Sequence, residues 1–81
     1  MRLHYTERFC RGYESAPRHI QRVLDRRGSL LVQNLRHPSL RAKKYDEAND
    51  IWQARMNGGW RFYFTIVSDT YYLIDIIPHP K

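Results

Sequence analysis

The spacing of apolar residues changes once along this chain, and the change separates a helical half from a stranded half. Ile20, Val23, Leu24, Leu31 and Leu35 recur at the interval of a helix buried along one side, while Arg18, Arg22, Arg26 and Arg27 lie largely elsewhere on its surface. Pro17 suits the first turn of that helix, and Pro38 marks its exit. Gly28 interrupts the stripe at a cost of about 1 kcal/mol relative to alanine, so a bend or a close approach is expected there. Ahead of it, Thr6 can cap a shorter helix with Glu7 in its first turn, directing Phe9, Cys10 and Tyr13 toward the core. The opening "RLHY" alternates Leu3 and Tyr5 with polar residues, as a short strand does.

From Ile51 onward the period is two. "IWQARM" and "WRFYFTIV" flank Asn57, Gly58 and Gly59, which accept the positive φ angles of a hairpin turn, and Ser68-Asp69 turns into a last strand, "TYYLIDIIPHP". Between the halves, "RHPSLRAKKYDEAND" carries enough charge to run over the surface. The predicted architecture is α+β: a short N-terminal strand, then two helices on one face of an antiparallel sheet that ends in a three-stranded meander, all in one domain spanning residues 1–81.

Alternation assigns faces. Trp52, Ala54 and Met56, then Trp60, Phe62, Phe64 and Ile66, then Tyr72, Ile74 and Ile76 form the apolar side. The open side then collects Gln53, Arg55, Arg61, Tyr63, Tyr71, Asp75 and His79. Composition adds a sign to that surface. Lys plus Arg outnumber Asp plus Glu by 14 to 8, giving +6, and arginine supplies most of it, which suits forked contacts to phosphate or carboxylate. A single cysteine, Cys10, excludes an intramolecular disulfide and reads as packing; no Cys/His spacing suggests zinc. With no apolar run of signal or membrane length, the expected setting is the cytoplasm, without a membrane partner.

A cationic sheet face with aromatic residues suits RNA, because arginine forks hold phosphates and rings stack on unpaired bases. It also contains parts for phosphodiester cleavage: histidine can move protons near neutral pH, whereas arginine supplies only electrostatic stabilisation. Two plainer readings stand beside this. Arg61 and Asp75 could be a cross-strand ion pair without chemistry, and Lys43 with Lys44 a solvated pair rather than a phosphate contact. His4, His19 and His37 read as surface residues.

Together with the order of elements, "SLRAKKY", "WQAR", "GWRFYF" and "YYLIDIIPH" resemble the RelE/ParE superfamily of bacterial toxin–antitoxin modules, over essentially the whole chain. The resemblance implies a toxin of the RelE/YoeB-like mRNA interferase branch, an endoribonuclease acting on mRNA at the ribosome by attack of a 2′-hydroxyl, with no metal or other cofactor. By position, Arg61 matches the arginine that contacts the scissile phosphate, Arg55 a basic residue of the preceding strand, and His79 a histidine near the chain end. Lys44 matches basic residues before the strand; Lys43, Gln53, Tyr63 and Tyr71 complete the expected RNA-binding set. A cognate antitoxin with an acidic or amphipathic segment is implied, and assembly as a homodimer or a toxin–antitoxin hetero-oligomer. The chain departs from the family where Gln53 replaces a basic residue, where no tyrosine follows His79, and where Asp46, Glu47 and Asp50 make the preceding link acidic. The alternatives are a ParE-like toxin directed at gyrase and a nontoxic RNA-binding module.

Overall fold

A computed structural model describes residues 1–57 and 59–78. In chain order the elements are β1 (Arg2–Tyr5), α1 (Glu7–Ser15), α2 (Arg18–Gln33), β2 (Lys43–Asp46), β3 (Ile51–Arg55), β4 (Trp60–Val67) and β5 (Thr70–Pro78). The five strands form one sheet in the order β1-β5-β4-β3-β2. The α+β class and the C-terminal meander are as expected, but the sheet is mixed, because β1 runs parallel to β5. No hairpin joins that pair, so no tight turn constrains their direction.

Local chemistry sets the helix ends. The Thr6 hydroxyl accepts the Phe9 N–H at 3.3 Å and donates to the Leu73 carbonyl at 2.8 Å, so one side chain caps α1 and ties it to β5. Helix α2 stops at Gln33, ahead of the exit expected at Pro38: Asn34 turns extended, at φ −160°, and its side-chain oxygen accepts the Arg36 N–H at 3.0 Å, a local bond that competes with the helix. Leu35 therefore packs from the turn that follows. Gly28 is a place of close approach within the uninterrupted α2, since a Cβ there would lie 3.3 Å from Leu3 Cδ1 on β1. Gly12 brings α1 still closer to β5, where a Cβ would meet Ile76 Cγ2 at 2.8 Å.

The charged segment read as a loop contains β2. Its side chains alternate between exposed and half-buried, and its backbone pairs with β3 in the register Lys43↔Gln53 and Lys44↔Trp52, a charged edge strand. Phe9, Ile20, Leu24, Leu31, Leu40, Phe62, Phe64 and Leu73 fill the core between helices and sheet. Cys10, expected inside, is exposed on α1. Among the described residues no helix is long and apolar enough to cross a membrane.

One irregularity redistributes the faces. Phe64 pairs with Leu73 while its neighbour Tyr63 pairs with Asp75, so Ile74 is an extra residue, a β-bulge. Before the bulge Tyr71 and Leu73 face the core; after it Ile76 does. Strict alternation through β5 thus misplaces its first half. Tyr71, expected on the open face, is 4% exposed and packs edge-on to Phe64 at 5.6 Å between ring centroids.

Candidate nucleic-acid interface

The open face is built in rows across the strands. Arg55 on β3 lies directly opposite Arg61 on β4, which lies opposite Ile77 on β5. The next row runs Lys43, Gln53, Tyr63 and Asp75. The backbone fixes the arginine pair from both sides: the Arg55 N–H donates to the Leu40 carbonyl at 2.7 Å, and the Met56 N–H to the Trp60 carbonyl at 3.1 Å across the turn. Like charges placed directly opposite destabilise a sheet. Neither arginine has a carboxylate within ion-pair distance among the described residues, and Arg61 Nε is buried without a hydrogen-bond partner. A buried donor left unmet costs about 1–3 kcal/mol. Two half-buried arginines therefore stand opposite each other without a counter-ion, an arrangement that an oxyanion would neutralise.

The expected Arg61–Asp75 pair does not form. Asp75 stands opposite Tyr63, one row away from Arg61, and its carboxylate accepts from Arg8 of α1 at 2.9 Å and from the Ile76 N–H at 2.9 Å. Tyr63 and Gln53 sit low in the face, 9% and 7% exposed, and the Gln53 amide donates to the Tyr63 hydroxyl at 3.0 Å. Tyr45, 61% exposed on β2, stands edge-on to the Tyr63 ring at 5.0 Å between centroids. Beside them is a depression of about 260 Å³, lined by both tyrosines, Ile74 and Ile77, with Arg8 and Asp75 among its walls.

The expected site residues are thus divided. Arg55, Arg61, Gln53 and Tyr63 share the face, with Lys43 at its edge. Tyr71 is in the core, and His79 lies outside the described residues. Lys44 points to the other side of the sheet, 5.2 Å from the centre of the Trp52 ring, with Asp50 and Glu47 as partners. Its hydrogen bond to Asp50 is the chief reason its ammonium is held above its ordinary pKa. Sequence reasoning missed Arg8 and Tyr45. The Lys43–Tyr45 alternation was the one signal for the tyrosine; nothing local marked the arginine, which reaches Asp75 from α1.

Neither a protein-family model nor a curated protein matches the chain at the sequence level. Solved structures do match. The isolated RelE toxin of E. coli superposes with a TM-score of 0.79 at 12% identity, covering 99% of this chain and 85% of that one. An archaeal RelE–RelB complex from Pyrococcus horikoshii gives 0.76 at 13% identity over 99% and 96% of the two chains. The RelBE2 toxin–antitoxin complex of Mycobacterium tuberculosis gives 0.74 at 18% identity over 98% and 96%. The chain has the RelE toxin fold.

Proposed function

We propose that this protein is the toxin of a type II toxin–antitoxin module and that its open sheet face binds and cleaves mRNA. The observation that carries the reading is the opposed Arg55–Arg61 pair with its unmet Arg61 Nε, an arrangement that costs stability until an oxyanion enters. In this reading the scissile phosphate sits between the two guanidinium groups. The 2′-oxygen bonds to phosphorus as the P–O5′ bond breaks, leaving a 2′,3′-cyclic phosphate and a 5′-hydroxyl. The arginines stabilise the charge that develops on the phosphoryl oxygens. They cannot carry the protons, because a guanidinium does not titrate in this range. We assign proton transfer to His79, as acceptor of the 2′-hydroxyl proton or donor to the departing O5′, with solvent water completing the other half of the exchange. The aromatic depression beside the arginines, with Tyr45 exposed, suits stacking of an unpaired base next to the cut.

A cognate antitoxin is the proposed protein partner, supported by the fold shared with RelE chains in RelE–RelB complexes. Ribosome association and a cytoplasmic setting belong to the same proposal. The test is to induce wild type, Arg61→Ala and His79→Ala in a bacterial host and map new RNA 5′ ends within minutes. Cuts in translated messages that need Arg61 and end in a 5′-hydroxyl support the proposal. Growth arrest without cuts refutes ribonuclease action and moves the reading to a gyrase-directed toxin; binding without arrest or cuts moves it to an RNA-binding module.

A further inference from the structure

We infer that the outer side of α2 is a second phosphate-binding surface, one that takes the backbone of double-stranded RNA while the open sheet face holds a single strand. The inference rests on the reading of the protein as RNA-directed. Arg18, Arg22 and Arg26 are exposed at four-residue spacing, which sets them about 6 Å apart along the helix axis in a slowly turning ladder. Like charges at this interval weaken a helix unless something neutralises them. Among the described residues no carboxylate lies within ion-pair distance of any of the three. Asp25, their neighbour in sequence, is engaged elsewhere, its carboxylate accepting from the Tyr13 hydroxyl at 3.2 Å.

A second observation joins the ladder to a receptor. Beside Arg26 an open trough of about 710 Å³, lined also by Arg27 and by Asp25, runs past Val23 and Leu30 to Asn57 at the β3–β4 turn. Arg27 Nε is buried without a partner, and its terminal nitrogen reaches the Met56 carbonyl only at 3.4 Å. An oxyanion in the trough would meet both Arg26 and Arg27.

The character of the face selects the occupant. The outer side of α2 carries arginine, His19, Asp25, Ser29 and Gln33, with no Phe, Tyr or Trp on which an unpaired base could stack. An acidic protein helix would need a row of apolar anchors in a groove, and beyond Val23 and Leu30 in the trough the arginine ladder offers none. Guanidinium forks at regular intervals match a phosphate backbone read by shape, as duplex RNA is read. Because α2 packs on the core side of the sheet, its outer side and the Arg55–Arg61 face look in opposite directions, so the protein can sit between a structured RNA and a single strand.

The test compares wild type, the double variant Arg22→Gln/Arg26→Gln and Arg61→Met, each checked for helical content. Binding of a short blunt-ended RNA duplex and of one of its strands is measured over a range of salt. The expected result is that the helix variant loses roughly tenfold or more in duplex affinity, and that its slope of log K against log salt falls by about 2 for two lost phosphate contacts. Single-strand binding stays with Arg61. Unchanged duplex affinity and slope in the helix variant overturn the inference. So does equal loss of duplex binding in Arg61→Met, or a polyglutamate peptide that outcompetes the duplex on α2. Duplex binding that depends on α2, with no single-strand binding at all, upholds this surface while refuting the proposed sheet-face function.

Discussion

Replacing Arg61 by methionine should make the free protein more stable while removing its affinity for RNA, a combination that a merely structural arginine would not give. Methionine keeps most of the aliphatic stem, so packing on the sheet is largely retained. The substitution removes a buried donor worth about 1–3 kcal/mol when unmet. It also removes a like-charge contact with Arg55 worth about 0.2–1 kcal/mol. Allowing for hydration of the remaining guanidinium nitrogens, a net gain of about 1 kcal/mol is expected, which for a domain of this size is roughly 4–8 °C in Tm. The gain should shrink when phosphate is added, because the anion stabilises wild type and has less to hold in the variant. On the RNA side, loss of a charge-assisted contact of about 1.5–3 kcal/mol lowers affinity by roughly ten- to a hundredfold. Thermal unfolding in low-salt buffer with and without phosphate, and fluorescence anisotropy with a labelled single-stranded RNA, measure both quantities. A variant that unfolds several degrees lower and binds RNA as wild type does would refute the argument, since Arg61 would then be a stabilising surface residue.

Three further outcomes are expected. Lys43→Ala should weaken single-strand RNA binding and reduce its salt slope by about 1, whereas Lys44→Ala should leave both nearly unchanged, because Lys44 faces Trp52 and is neutralised by Asp50 and Glu47; salt titrations of the two variants decide this. Gly12→Ala should destabilise by about 1–3 kcal/mol despite its better helix propensity, since the new Cβ would sit 2.8 Å from Ile76 Cγ2 and 3.1 Å from the Ile76 carbonyl oxygen, and urea unfolding measures the loss. Burial raises the Tyr71 pKa above its ordinary value of 10.0, so the folded state favours the neutral phenol. That contribution is complete below pH 10 and is lost as pH rises through the folded-state pKa, so stability should fall above pH 10, and less steeply in Tyr71→Phe.

Short-range patterns carried much of the fold. Alternation in "WRFYFTIV" placed Phe62 and Phe64 in the core and Arg61 and Tyr63 on the open face, and the structure agrees because β4 pairs with β3 without a register shift and the extra residue of the bulge lies in β5. Helical spacing in α2 likewise picked out Ile20, Leu24 and Leu31. Periodicity is legible wherever the backbone repeats without a break.

What the sequence could not decide was long-range. A bulge at Ile74 exists only as a mismatch between β4 and β5, and neither strand announces it alone; it moved Tyr71 inside, while the packing of α1 brought Arg8, 67 positions earlier in the chain, to Asp75. β2 is a strand because β3 offers it backbone partners, while its own charged composition suggests a loop. Residue types and local spacing thus determined that this protein would carry a basic, aromatic sheet surface. The register of the β3–β4 hairpin decided that Arg55 and Arg61 would face each other without a counter-ion, because register is a property of two strands at once.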